Sequence, residues 1–430
     1  MKIVIVGGGA GGLELACKLG RQLGPLAVTL VDCNLFHIWK PSLHEVAAGT
    51  LDIHQEGLSY QMLAHDNGFT FVFGALTALD APRRMISVGE TLADDGSVIL
   101  PARQLGYDQL VLAIGSTSNY FGVPGAAEHT LSLNGPHDAE WFRLRMLKLL
   151  TLADLQKPQN PQVAVDVVII GGGATGVELA AELREASEVQ GRYGYPRLDP
   201  LRDVRITLLE GAARILSPLP ARVSRTALQL LAERQITVHT GCKVTRIDAD
   251  KVLDSEGNVY PADLIVWAAG IKAPPLLATL GLPLARSGQL LVNRRLQVEG
   301  FADMFALGDC AACEYAEGKW VPPRAQSAHQ QADYLYRLLL RRVRGQAEPA
   351  ASYVYRDYGS LVSMGTRTSV GNLMGNLFDA SWFVEGFLAR CMYVSLHLLH
   401  HRAVLGTMRT GVLALARYLV KRARPLVKLH

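Results

Sequence analysis

The chain has 430 residues, 49% apolar and 19% charged, with 43 Lys or Arg against 39 Asp or Glu and a formal charge of +4. That size accommodates two or three domains with ordinary cores, and nothing in the balance calls for a nucleic-acid partner. Six cysteines without a paired framework point to a reducing compartment, and no uncharged apolar stretch reaches the roughly 18 residues of a spanning helix.

The N-terminus has the charge and apolar run of a short signal peptide, but glycines interrupt it, so strand, turn and helix is the better assignment. Residues 2–6 are an apolar strand, Gly7 to Gly12 a glycine-rich turn, and residues 13–23 a helix. A second apolar run, 27–31, ends in Asp32, twenty positions after Gly12. Gly7, Gly9 and Gly12 have the G-x-G-x-x-G spacing, in which backbone amides at a helix N-terminus face a pyrophosphate and the acid accepts from a ribose hydroxyl. A glycine cluster alone also serves ordinary turns; the flanking strand and helix make this one specific. Residues 110–114 form a buried strand closing at Gly115, and Gly122-Val123-Pro124-Gly125 reads as a crossing into a second domain.

That domain repeats the pattern: strand 167–170, then Gly171, Gly173 and Gly176, a helix to about residue 189, and strand 205–209 ending in Glu210. An insertion at 191–202 explains the longer gap from glycine to acid. Strand 264–269 closes at Gly270 as the earlier one closes at Gly115, which supports duplication of one architecture. Ala273-Pro274-Pro275 marks the return, and strand 304–307 then ends in Gly308-Asp309, placing a carboxylate at the carboxyl edge of a parallel sheet.

Beyond residue 345 the character changes. Residues 381–399 are almost wholly apolar, and Leu405, Met408, Val412, Leu415 and Leu419 share a helix face opposite Arg402, Arg409, Arg417, Lys421, Arg424 and Lys428. From 386 to 430 there are eight cations and no acid, so the tail is +8 and the rest −4. An apolar stripe flanked by cations suits the plane of an anionic membrane surface; packing on its own domain or on a twin subunit is the alternative. Pro425 is expected to end the helix.

Two dinucleotide turns completed by Gly308-Asp309 resemble the two-dinucleotide-binding flavoprotein reductases over residues 1–330. Within them, Ala325-Gln326-Ser327-Ala328-His329-Gln330-Gln331 looks like the A-Q-x-A-x-Q segment of type II NADH:quinone oxidoreductases. Lys40-Pro41-Ser42-Leu43-His44-Glu45-Val46-Ala47 is similar to their P-L-L-x-E-V-A stretch, with Ser42 in place of leucine, and Thr175-Gly176-Val177-Glu178 to their T-G-V-E. The resemblance implies an α/β fold of two Rossmann-like domains, the second inserted in the first. The FAD-binding domain would be 1–121 with 278–345, the NADH-binding domain 122–277, and 346–430 a membrane-association region with amphipathic helices over about 381–424.

It also implies non-covalent FAD on Gly7, Gly9, Gly12, Asp32, Lys40, Ala113, Gly115, Asp309 and Ala325, and NADH on Gly171, Gly173, Gly176, Glu178, Glu210 and Gly270. Glu178, Gln326 and Gln330 are the catalytic candidates. The two glutamines, four apart on one helix face, could offer neutral amides to a quinone carbonyl, ubiquinone or menaquinone, without burying charge. Glu210 would repel a 2′-phosphate and favour NADH over NADPH, with Arg214 nearby as a counter-indication. The chain would then sit peripherally on the cytoplasmic face of a bacterial-type inner membrane, reducing quinone without pumping protons.

The rivals are a soluble reductase of an iron–sulfur carrier, a sulfide:quinone oxidoreductase, and a flavoprotein whose NADH-driven change of shape controls a partner. Sulfide oxidation needs two separated reactive cysteines at the flavin, which Cys17, Cys33 and Cys242 do not suggest. Cys310 and Cys313 are the one close pair, with no second pair to complete a zinc site.

Overall fold

In the computed structural model, which describes residues 1–93, 95–365, 369–374 and 381–423, the first apolar run becomes β1 (Ile3–Val6), buried along its whole length. A central strand covered on both faces of its sheet has no polar side to show. Helix α1 (Ala10–Leu23) follows the glycine turn, then β2 (Val28–Asp32), α2 (Leu43–Ala48), β3 (Thr70–Phe73) and β4 (Gln109–Leu112). Strand β1 lies parallel between β2 and β4, with β3 outside β2. The chain leaves this unit along Thr117–Ser118, which pairs antiparallel with the returning Ile271–Lys272.

Between the two crossings lies a second parallel sheet. It contains β5 (Leu131–Ser132), β6 (Val165–Ile170), α3 (Ala174–Tyr193), β7 (Val204–Glu210), β8 (Ile236–Thr240) and β9 (Leu264–Trp267), in the strand order β5-β9-β6-β7-β8. After the return, β10 (Met304–Ala306) joins the first sheet beside β4, giving β10-β4-β1-β2-β3. In both sheets the strand before the glycine turn lies between the strand that ends in an acid and the late apolar strand. Helix α4 (Ala325–Val343) then packs along α1, where Lys18 bridges Glu14 and Asp333, and His329 Nδ1 lies 2.7 Å from Glu14 Oε2.

The C-terminal region departs from the sequence expectation in one respect. Residues 381–385 are not helix. They form β13 (Ser381–Glu385), the edge of an antiparallel sheet with β11 (Gly359–Ser363) and β12 (Ser369–Met374). Strand pairing wins because Trp382, Phe383 and Val384 are aromatic or β-branched and Gly386, at φ +74°, breaks the chain before the helix can extend backwards.

Helix α5 (Gly386–Leu405) is built into the body: Ala389 and Val404 are fully buried, and Arg21 donates to the carbonyls of Val404 (2.7 Å) and Ala403 (3.0 Å). Helix α6 (Thr407–Ala423) is different. Its apolar stripe faces outward, with Met408 85% and Val412 63% exposed, while Arg409 pairs with Asp66 and Arg417 Nε lies 3.1 Å from Glu56 Oε1. Its inner cations thus bind the mildly acidic body and leave the hydrocarbon to the outside. The side chains of Arg390, Lys421 and Arg422, and residues Arg424, Pro425 and Lys428, lie outside the described residues. Among those described, no helix is long and apolar enough to cross a membrane.

Candidate active site

Three glycines of the first turn are there for two different reasons. Gly7 has φ +103°, and a Cβ on it would lie 2.3 Å from the Ala113 carbonyl oxygen; a Cβ on Gly12 would lie 2.0 Å from the Gly7 oxygen. These two let helix and strands close together. Gly9 instead meets nothing within 4 Å, and it opens α1, whose first turn has neither a side-chain cap nor an acid. Unsatisfied amides beside open space fit the pyrophosphate of a dinucleotide. Asp32 accepts from Gly8 N (2.6 Å) and Asn34 N (2.7 Å), so it braces the turn.

Gly8 has a role its spacing did not announce. A Cβ there would strike the Tyr60 hydroxyl at 2.4 Å, and the Gly8 carbonyl accepts from that hydroxyl at 2.7 Å and from His37 Nδ1 at 3.0 Å. Nearby, at the carboxyl ends of β4 and β10, Ser116 Oγ donates to Asp309 Oδ2 (2.7 Å) and Lys40 Nζ to the Ser116 carbonyl (3.3 Å). Burial lowers the Lys40 pKa, while Asp309 and Asp138 work to raise it. Gly115, at φ +70°, has open space on its Cβ side, and Ala325 starts α4 with no side-chain cap. The first turns of α1 and α4 touch, since a Cβ on Gly11 would meet the Ala328 oxygen at 2.9 Å.

The second turn repeats the first almost atom for atom. Gly171 has φ +113° with its Cβ site 2.5 Å from the Ala268 carbonyl carbon, the Gly176 site is 2.0 Å from the Gly171 oxygen, and Gly173 is open at the uncapped start of α3. Glu210 accepts from Gly172 N (2.6 Å) and Ala212 N (2.7 Å), the counterpart of Asp32. Gly270 leaves room for Phe121, whose ring a Cβ would meet at 2.8 Å. Arg214 is not available to a 2′-phosphate: it donates to the Leu219 carbonyl (2.7 Å), Ser224 Oγ (2.6 Å) and the Ser217 carbonyl.

Glu178 lies one turn into α3, 8% exposed, between α2 and β11. Burial pushes its carboxyl up to about 8, Glu45 and Glu182 add to the rise, and the Ser363 amide, donating to Oε1 at 2.9 Å, opposes it. His44 Nδ1 is 3.7 Å from Glu178 Oε2, and burial lowers the histidine's pKa. The pair is therefore a protonated acid beside a neutral imidazole at pH 7, not an ion pair. His44 Nε2 is buried with no protein partner, an orphaned polar atom of the kind a bound group satisfies.

The two glutamines do not present free amides. Gln326 Nε2 donates to Asp357 Oδ1 (3.2 Å) and the Gly359 carbonyl (3.1 Å), and its Oε1 accepts from Tyr358 N (3.1 Å). Gln330 exchanges two bonds with the backbone of Arg356, at 2.8 and 3.0 Å. Residues 356–358 precede β11 outside any regular element, so their backbone groups need side-chain partners, and two amides spaced i, i+4 supply them. Strand β11 thus runs from the glutamines at one end to Glu178 at the other.

Comparison with known proteins decides between the acceptors. The pyridine nucleotide-disulphide oxidoreductase family model matches residues 1–332. The type II NADH:quinone oxidoreductase of Haemophilus influenzae is 36% identical, covering 100% of this chain and 99% of its own. The chain belongs to the type II NADH:quinone oxidoreductases. Demethylphylloquinone reductase NdbB of a Synechocystis species is 31% identical over 87% of each chain. The fold matches that of NDH2 from Plasmodium falciparum solved with NADH, at a TM-score of 0.82 and 19% identity over 100% of this chain and 99% of that one.

Cys310 and Cys313 are buried, unpaired thiols whose burial pushes their pKa up to about 12 and about 11. Such thiols are inert as nucleophiles at pH 7. The residues present fit FAD at the first turn and NADH at the second.

Proposed function

We propose that this chain oxidises NADH and reduces a quinone, with overall balance NADH + H⁺ + quinone to NAD⁺ + quinol, and without moving protons across a membrane. The observation that carries this is the pair of matching glycine cradles in one chain, the second on the helix that bears Glu178. FAD, when bound, supplies the two-electron chemistry, taking hydride from NADH and passing electrons to the quinone. Gly9, the α1 and α4 N-termini, Lys40 and Asp309 hold it; Gly173 and Glu210 hold NADH, the carboxylate selecting a free ribose hydroxyl. Glu178 keeps a proton at pH 7 and, beside neutral His44, supplies one of those the quinone needs. NADH oxidation by the purified protein, with and without a soluble quinone, tests the reading.

Gln326 and Gln330 act by positioning β11, and through Ser363 the carboxyl of Glu178. Gln326→Ala is expected to slow quinone turnover about tenfold while leaving flavin reduction by NADH within about twofold, the loss of two or three hydrogen bonds being on the order of 1–3 kcal/mol. Stopped-flow measurement of the two half-reactions checks this.

The same reading places the protein on a membrane surface through α6, whose outward stripe enters the acyl boundary, on the cytoplasmic side of a bacterial-type inner membrane. Ending the chain at residue 406 is expected to release it from vesicles with FAD retained. Ending it at 380 removes α5 as well, with Val404 and the Arg21 contacts, and is expected to cost the flavin. Vesicle sedimentation with flavin absorbance distinguishes the two. Pairing of two α6 stripes in a homodimer is the second use of that face, read out as a change of mass on truncation at 406.

A further inference from the structure

On the far side of His37, whose ring bonds the Gly8 carbonyl of the first turn, Glu56, His397 and His401 bring one ligand atom each to within 4.8 Å of one another. Glu56 ends the short helix Ile53–Glu56; His397 and His401 lie one turn apart on α5, with ring centroids 4.2 Å apart. They border a small pocket also lined by His37, Trp39, Ser42 and Leu51.

Hydrogen bonding fixes which nitrogens carry lone pairs. His401 Nδ1 is 3.1 Å from the His397 carbonyl oxygen, which can only accept, so Nδ1 holds the hydrogen and Nε2 the lone pair. Second-shell bonds of this kind set the tautomer of metal-binding histidines. His397 Nε2 is 3.1 Å from Arg417 Nη1, a group that can only donate, so this nitrogen also carries a lone pair. Arg417 Nε meets Glu56 Oε1 at 3.1 Å. The guanidinium of α6 therefore occupies, from one side, the place on which two of the three donors converge.

We propose that Glu56, His397 and His401 form a binding site for a divalent transition-metal ion, zinc being the ion that best suits the donors, and that Arg417 is its built-in competitor. Two imidazoles and a carboxylate with an open fourth position are a known zinc donor set, at about 2.0–2.2 Å from the metal. Donors on a tetrahedral zinc ion stand about 3.3 Å apart, so small rotations of the half-buried Glu56 and His397 toward the buried His401 close the gap from 4.8 Å. Metal and guanidinium cannot both take the lone pairs of His397 and Glu56. Zinc binding thus exchanges one cation for another and takes Glu56 and His397 from Arg417, one of the two ion-pair anchors of α6, leaving it Glu45 at 3.9 Å.

The test is zinc titration by calorimetry on the full-length, FAD-loaded protein after chelator treatment, with flavin absorbance confirming the fold of each variant. One zinc per chain at micromolar concentration is expected, weakened at least tenfold in His397→Ala and His401→Ala and tightened in Arg417→Gln. Cobalt in place of zinc is expected to give the visible absorption of a tetrahedral ion. Should a histidine variant lose its flavin, the Arg417→Gln affinity and the cobalt spectrum decide alone. No stoichiometric binding, binding unchanged in the folded histidine variants, or binding weakened in Arg417→Gln overturns the proposal.

Discussion

Gly12→Ala is expected to give a protein that cannot keep FAD, whereas Gly9→Ala folds and binds it weakly. The added methyl at position 12 would sit 2.0 Å from the Gly7 carbonyl oxygen and 3.0 Å from Ala113 Cβ. Overpacking costs ~1–3 kcal/mol where side chains can rotate away, and more where the obstacle is backbone in the middle of a helix–strand contact. At Gly9 the same methyl meets no protein atom within 4 Å, so it intrudes only on the space the pyrophosphate takes. Flavin absorbance and melting temperature separate the two: Gly12→Ala loses both, Gly9→Ala loses flavin affinity with the melting temperature of the flavin-free protein preserved. Equal behaviour of the pair would mean that the open side of Gly9 does not face the cofactor.

Replacing Glu178 by Gln is expected to lower quinone turnover roughly a hundredfold, the lower range for loss of a positioned acid. In the wild type, turnover limited by this proton falls as pH rises through about 8, and the variant lacks that limb. The substitution's effect on stability is opposite to its effect on turnover. The carboxyl's folded pKa lies above its ordinary value of 4.5, so the folded state binds the proton more tightly and wild-type stability declines as pH rises from about 4.5 to about 8. Glutamine has no proton to lose and keeps an acceptor for Ser363 N. Its melting temperature should therefore gain on the wild type across that window while its activity does not. A variant that loses stability and activity together at every pH would mark Glu178 as a packing residue.

Much of this was legible in the chain because glycine spacing and the acid ending a strand are local: Gly7, Gly12 and Asp32 act on one another within one strand–turn–helix unit. The repeat at Gly171, Gly176 and Glu210 shows the same local rule used twice. What the sequence hid depends on distant partners. Gly8 is held by Tyr60 and His37, and the unpartnered nitrogen of His44 comes from burial that no spacing announces. The glutamines illustrate the limit best. Their i, i+4 spacing correctly put them on one face of α4, but only the fold brings residues 356–359 against that face to take up the amides. Residues 381–385 failed for a different reason: an apolar run of that length does not declare its period, and pairing with β12 chose strand.

On the proposed function, electrons pass from NADH at the second turn to a quinone by way of the first. Steady-state oxidation of NADH by the purified, FAD-loaded protein with a soluble quinone tests it most directly, repeated with NADPH and with sulfide as donors. Quinone-dependent turnover is expected with NADH, much less with NADPH on the proposal that Glu210 meets the ribose while Arg214 is engaged elsewhere, and none with sulfide because Cys310 and Cys313, the one close pair of thiols, are buried. NADH oxidation that proceeds at the same rate without quinone, or quinone reduction driven by sulfide, would contradict the account.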